Sequence, residues 1–336
     1  MKRVLVFYII SMMLSCVNVS SLLAKAPVTS KILFTSARDG NHEIYIMNPD
    51  GSEQVNLTQH PETDQHAVWS PTGEKILFLS DRGGVRDLYL MSSDGANVRR
   101  VFEKKAKIDR VGPTWSPDGK QIAYEVLDWN GPDSGIRIAT VGEQDSKFFE
   151  KSAAPAWSPD GAEIACVAAD PAGTWIIFID VQTQKQERLL PKKALLWQHQ
   201  PSWSATGDKL AFSGNKHPRP AILNRELHNA WAAKRTIFIV NRDGTGLQQL
   251  VKEAGTAAQW PALSPNGDQV LYTQTINGQE HIFKVDVNSG IQTQLTHIGF
   301  LRFGNFGGDW FDPAYALPVS PQPHLLTTTW GDVKKE

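Results

Sequence analysis

A five-residue phrase, Trp-Ser-Pro-x-Gly followed by a short apolar strand, occurs in full at residues 69–73, 115–119 and 157–161. Looser copies stand at 203–207 (Trp-Ser-Ala-Thr-Gly) and 263–267 (Leu-Ser-Pro-Asn-Gly). Successive copies are 46, 42, 46 and 60 residues apart. Strand-rich repeats with a period of about 40–50 residues are the mark of β-propeller blades, each a four-stranded sheet. Such a fold is a scaffold, and its function resides in the loops and side chains grafted on its faces.

Each repeat reads as one plan. The Trp closes an inner strand, and the Pro-x-Gly turn reverses the chain into a second strand such as Lys75-Ile76-Leu77-Phe78-Leu79-Ser80. That strand is apolar on both faces, as expected of one held between neighbouring sheets. A third strand follows, as at residues 87–91 and 236–240, and a tight Asp-Gly turn (Asp94-Gly95, Asp243-Gly244) leads to an edge strand. Residues 31–58 hold the last three strands without a Trp anchor, so the missing inner strand is expected from residues 308–313. The prediction is an all-β fold: a six-bladed β-propeller closed by pairing of N-terminal strands with a C-terminal strand. The 60-residue step then carries an insertion at about residues 216–235. Trp69, Trp115, Trp157 and Trp203 repeat because the geometry repeats, and read as structural anchors wedged between sheets.

The ends differ from the repeats. Lys2 and Arg3 precede an 11-residue apolar run, Val4 to Leu14, and small residues follow up to Ala24 and Ala26. This is the pattern of a signal peptide over residues 1–26; the run is too short to span a bilayer, which takes about 20 residues. Met13-Leu14-Ser15-Cys16 resembles a lipoprotein box, so a lipid anchor at Cys16 stands beside simple secretion. Both place the mature chain in the periplasm or outside the cell, without a transmembrane span. The propeller is assigned to residues 27–317, and a Pro-rich, then polar, tail to 318–336. Cys166 is the one remaining thiol, which leaves no internal disulfide and no cysteine metal site. The net charge of −1 gives no basic field for nucleic acid.

One repeat continues as Ser36-Ala37-Arg38-Asp39-Gly40-Asn41-His42-Glu43-Ile44-Tyr45-Ile46-Met47-Asn48-Pro49-Asp50-Gly51. Together with the Trp-Ser-Pro-Asp-Gly anchor this resembles the TolB-type, WD-like propeller repeat over roughly residues 31–314. The resemblance implies an envelope protein that binds partners. TolB carries an extra α/β domain ahead of its propeller, which this chain is expected to lack.

The longer loops, at residues 60–67, 103–113, 191–200, 216–235 and 296–308, gather arginine, lysine and tryptophan, types enriched at binding hot spots. Trp197, Trp231, Trp260, Arg110 and Arg302 are therefore binding candidates. His66 and His199 join them as residues expected just before an inner strand, at the mouth of the central channel. No His-x-His, His-Glu-x-x-His, nucleophile-elbow or phosphate-loop pattern accompanies them, so no metal, cofactor or catalytic residue is assigned. The first reading is an exported, non-enzymatic scaffold binding a protein or an envelope polymer through its long-loop face. The alternative is a propeller lyase or hydrolase acting on an anionic glycan, with the channel histidines near its site.

Overall fold

The computed structural model describes residues 25–128, 132–171, 173–191, 193–220, 224–253, 256–298 and 304–318. Cys16, Arg302, most of the leader and nearly all of the tail lie outside them. Strands follow one another in antiparallel sheets. The first contains β1 (Lys31–Ser36), β2 (Glu43–Met47) and β3 (Val55–Asn56). The second contains β4 (Asp64–Trp69), β5 (Lys75–Ser80), β6 (Asp87–Ser92) and β7 (Arg99–Arg100). The third contains β8 (Asp109–Trp115), β9 (Gln121–Leu127), β10 (Gly135–Thr140) and β11 (Ser146–Glu150). Next come β12 (Ala153–Trp157), β13 (Glu163–Asp170), β14 (Gly173–Asp180) and β15 (Gln186–Arg188). They are followed by β16 (Trp197–Trp203), β17 (Lys209–Asn215), the helix α1 (Arg225–Ala232), β18 (Thr236–Asn241) and β19 (Gln248–Gln249). The last sheet is β20 (Ala258–Leu263), β21 (Gln269–Ile276), β22 (Gln279–Asp286) and β23 (Gln292–Gln294). Then β24 (Asn305–Phe311) returns to the first sheet and pairs antiparallel with β1.

The strands β12 to β15 and β16 to β19 form one eight-stranded sheet. They are joined at a single parallel bridge, Thr174 to Trp197. Gln198 reinforces that seam, its Oε1 accepting from Ile176 N at 3.1 Å and its Nε2 donating to Leu195 O at 3.0 Å. Elsewhere the sheets meet face to face through apolar clusters. Leu77, Leu79 and Leu90 of the second sheet pack on Tyr124, Val126 and Ile122 of the third. Phe178 and Ile176 meet Phe212 and Phe238. Tyr272 and Val270 meet Ile237 and Ile239, and Leu271 and Ile282 meet Ile32, Phe34 and Tyr45. Truncating one such ring to Ala costs about 3–5 kcal/mol.

The Ser-Pro-x-Gly turns explain why the second strands begin where they do. At the third sheet, Ser116 Oγ donates to Asp118 Oδ1 at 2.6 Å and accepts from Gln121 N at 2.9 Å. Gly119 N closes the turn on Ser116 O at 2.9 Å with φ of +68°, the left-handed region where glycine is unstrained. The Trp anchors lie beneath these turns: Trp69, Trp115 and Trp157 are buried and Trp203 is half-buried. Cys166 is also buried, and burial pushes its thiol up to about 12.

Candidate functional site

The inner strands β4, β8, β12, β16, β20 and β24 share an irregularity. Each pairs with its neighbour, slips register, and pairs again. At each slip one residue takes positive φ: His66 (51°), Gly112 (56°), Ala154 (49°), Gln200 (57°), Trp260 (58°) and Gly307 (64°). These are β-bulges, which re-aim a side chain out of the sheet. Each stands three residues before the strand's anchor position, and Pro113, Pro155, Pro201 and Pro261 follow four of them. Proline cannot serve the ladder and settles at bulges. Several bulge N–H groups are met by side chains of the preceding sheet: His66 N by Thr35 Oγ1 (3.1 Å), Ala154 N by Glu125 Oε2 (3.1 Å), Gly307 N by Thr273 Oγ1 (3.1 Å). Trp260 N is met by Gln200 Oε1 (3.0 Å) of the neighbouring inner strand.

Five of these six bulge residues, His66, Gly112, Gln200, Trp260 and Gly307, border a common cavity of about 130 Å³. His66 lies 4.7 Å from Trp260 and 5.3 Å from Phe306, ring centre to ring centre, and Phe306 meets His42 edge-on at 5.1 Å. The bulge positions of β8 and β12 hold the small residues Gly112 and Ala154, of which Gly112 borders the cavity.

Farther up β16, Trp197 stacks on His199 at 5.5 Å with ring planes 11° apart. Trp231 meets Trp197 edge-on at 5.7 Å, and the Arg235 guanidinium lies 5.6 Å from the Trp197 ring centre. Trp231 belongs to α1, capped by Asn224, whose Oδ1 accepts from Leu227 N at 2.7 Å. The helix is held by Trp231 Nε1 donating to His217 O at 2.9 Å and by Asn215 Nδ2 donating to Trp231 O at 2.8 Å. Burial drives both imidazoles down to about 4, with Arg86 and His42 adding to the effect at His66 and Arg235 at His199. They are neutral near neutral pH, and each offers one donor and one acceptor.

The predicted residues therefore divide. Trp197, Trp231 and His199 form one cluster, and His66 and Trp260 another, on β4 and β20 with β24 between them. His66 and His199 lie inside β4 and β16, not ahead of them, and at positions one step out of register. Arg110 stands apart, its Nη1 on Asp87 Oδ1 at 2.9 Å and its guanidinium 4.2 Å from the Phe102 ring centre. Asp64 and Asp109 are likewise taken by Arg82 (2.7 Å) and Arg86 (2.6 Å). Phe306 and Gln200 escaped sequence reasoning; the proline two residues before the anchor position marks such bulges in four inner strands. Among the described residues no group of three or more His, Cys, Asp or Glu is placed to hold a metal ion.

The opposite end opens into a larger cavity of about 400 Å³, walled by Trp69, Trp115, Trp157 and Trp203 and by Asp309. Asp309 Oδ2 accepts from Trp69 N at 2.6 Å, and burial raises its carboxyl to about 6. Tyr315, Ala316 and Leu317 border this cavity, and Leu317 N donates to Pro71 O at 2.9 Å.

The sequence profile of the TolB beta propeller domain matches residues 17–111 and 104–238. No curated protein matches the chain by sequence. Among solved structures, TolB from Acinetobacter baumannii is similar with a TM-score of 0.68 and 16% identity, over 84% of this chain and 66% of that one. The chain thus spans a little under two thirds of that TolB. A chain from Agrobacterium tumefaciens assigned as a TolB gives 0.60 and 19%, over 84% and 92%. A chain of a nidogen/laminin complex gives 0.61 and 10%, over 86% and 98%. At these identities the likeness concerns the fold. No helix among the described residues is long and apolar enough to cross a membrane.

Proposed function

We propose that this chain, which belongs to the TolB beta propeller domain family, is an exported, non-enzymatic scaffold that holds a protein segment in the mouth of its central channel. Its sheets are read as six blades closed into a ring. The pairing of β24 with β1, the succession of apolar clusters from sheet to sheet, and the Asp309–Trp69 bond support that reading. The charged start and short apolar run of residues 1–26 support export to the periplasm or beyond.

The observation that carries the binding role is the run of ring contacts along successive inner strands. Aromatic rings and neutral imidazoles stand on the consecutive inner strands β16, β20, β24 and β4. Rings fixed by packing supply contact area at little entropic cost, and a neutral imidazole enters a desolvated contact without burying charge. An inserted apolar or aromatic side chain of a partner fits this wall. One structural neighbour was solved within a protein–protein complex, that of nidogen and laminin.

The test uses residues 27–336 as bait for an envelope extract, beside Trp260→Asn and Trp197→Ala variants. Asparagine tolerates the 58° φ at position 260. A partner retained by the parent and lost by variants of unchanged melting temperature supports the reading. Equal capture by parent and variants, or no capture by the parent, refutes it.

A further inference from the structure

We infer that the crevice between the loop at residues 106–108 and the third sheet is a binding site for a small oxyanion-bearing ligand, with Arg137 as its main contact. The internal repeat provides the comparison. In four of the other repeats the third strand sets an aromatic ring at one register position, Tyr45 opposite Phe34, Tyr89 opposite Phe78, Phe238 opposite Phe212 and Phe283 opposite Tyr272, and in the fifth it sets Ile177 opposite Cys166. At that position of the third sheet, β10 sets Arg137 opposite Tyr124. Beside the pair lies a cavity of about 200 Å³, also bounded by Arg110, Lys107, Ser146 and Asp133. A cavity of about 150 Å³ accommodates a benzene ring, so this one has room for a compact organic anion.

The polar groups of the crevice are out of balance. Tyr124 has no exposed surface, and its Oη makes no well-formed hydrogen bond, with the Ser146 hydroxyl as its neighbour. Arg110 is already paired with Asp87 at 2.9 Å, so that couple is close to neutral. Arg137 is half-buried, and no described residue accepts from its guanidinium. Lys107 and Asp133 are both exposed at the rim and offset each other. The excess is one positive charge, on a planar fork set where the sister repeats keep a ring or an isoleucine. An unpaired guanidinium in such a place is destabilising. A ligand carboxylate or phosphate received by that fork, with Tyr124 Oη donating to it, restores the balance.

The experiment titrates the folded, leaderless protein calorimetrically with inorganic phosphate and, separately, with succinate. The two arms distinguish a free phosphate from an organic carboxylate. Parallel titrations use Arg137→Tyr, which rebuilds the ring of four of the other repeats, Arg137→Met, and Tyr124→Phe. Saturable binding of at least one anion is expected. It should be weakened roughly tenfold or more by either Arg137 substitution and roughly threefold by Tyr124→Phe. Arg137→Tyr is expected to melt at or above the parent temperature, which separates loss of the site from loss of the fold. If neither anion binds the parent saturably, or if the Arg137 variants bind as the parent does, the inference is overturned.

Discussion

Asp309 and Trp69 are 240 residues apart in sequence, yet the carboxylate of one lies 2.6 Å from the backbone nitrogen of the other. The bond ties β24 to β4 at the rim of the larger cavity. Its carboxyl titrates near 6 because burial disfavours the charge more than the Trp69 and Trp310 N–H groups favour it. The folded state holds this proton longer than the unfolded chain. The resulting stability is fully present below 3.8 and is lost as pH rises through about 6. Asp309→Asn keeps an acceptor for Trp69 N without the charge. It is expected to raise stability near neutral pH by about 1–3 kcal/mol, read from urea midpoints on either side of the transition.

His66 and His199 work in the opposite sense. Their folded values near 4 lie below the ordinary 6.5, so their contribution is present above 6.5 and is lost as pH falls through 4. His66→Gln and His199→Gln should each flatten the acid limb of the stability curve by about 1–3 kcal/mol. Chemical denaturation across that interval checks the sign, since a steeper limb in either variant contradicts the assignment.

Gly73 and Gly119 occupy the same turn position in neighbouring repeats, with φ of +71° and +68°. A Cβ at Gly119 would meet nothing nearer than Pro71 Cδ at 3.9 Å, whereas one at Gly73 would sit 2.3 Å from the Phe311 ring. Gly119→Ala should cost about 1 kcal/mol, the strain of a left-handed alanine. Gly73→Ala adds displacement of Phe311, another 1–3 kcal/mol or so. The difference between the two melting temperatures is the measurement.

Trp231→Ala removes the ring that α1 sets against Trp197 and the bond to His217 O. Local loosening of residues 216–235 is expected, with little change at Tyr124 or Phe78 in more distant sheets. Hydrogen exchange resolves the two, and a uniform rise across all sheets would show that the insertion is integral to the fold.

Much of the architecture was legible because the turn chemistry is local. Ser116, Asp118 and Gly119 build their reversal from atoms within a few residues, so the phrase that encodes it marks where β9 begins, and the same holds at β5 and β13. The channel wall was harder to see. His66 and Trp260 were singled out as candidates, but only the bulges aim them at each other, and the sequence sign of a bulge is a single proline that β4 and β24 lack. Trp197 reads as a loop residue because Gln198, His199 and Gln200 follow it with no apolar alternation, although it pairs with Asn215 and bridges to Thr174. Arg110 looked like a free loop cation. Its partner Asp87 is 23 residues away on another strand, a distance that composition cannot bridge.

The uneven channel wall has a consequence for anything that comes to lie along the axis. A repeated backbone presents an incoming segment with several equivalent rotational settings, and a uniform lining would leave it free to turn among them. Here the equivalent positions differ, an imidazole and an indole among glycine and glutamine, so the settings are not alike. On the proposed reading such a lining would fix the azimuth of a held segment as well as its depth, and that orientation would be carried outward to whatever the segment is attached to.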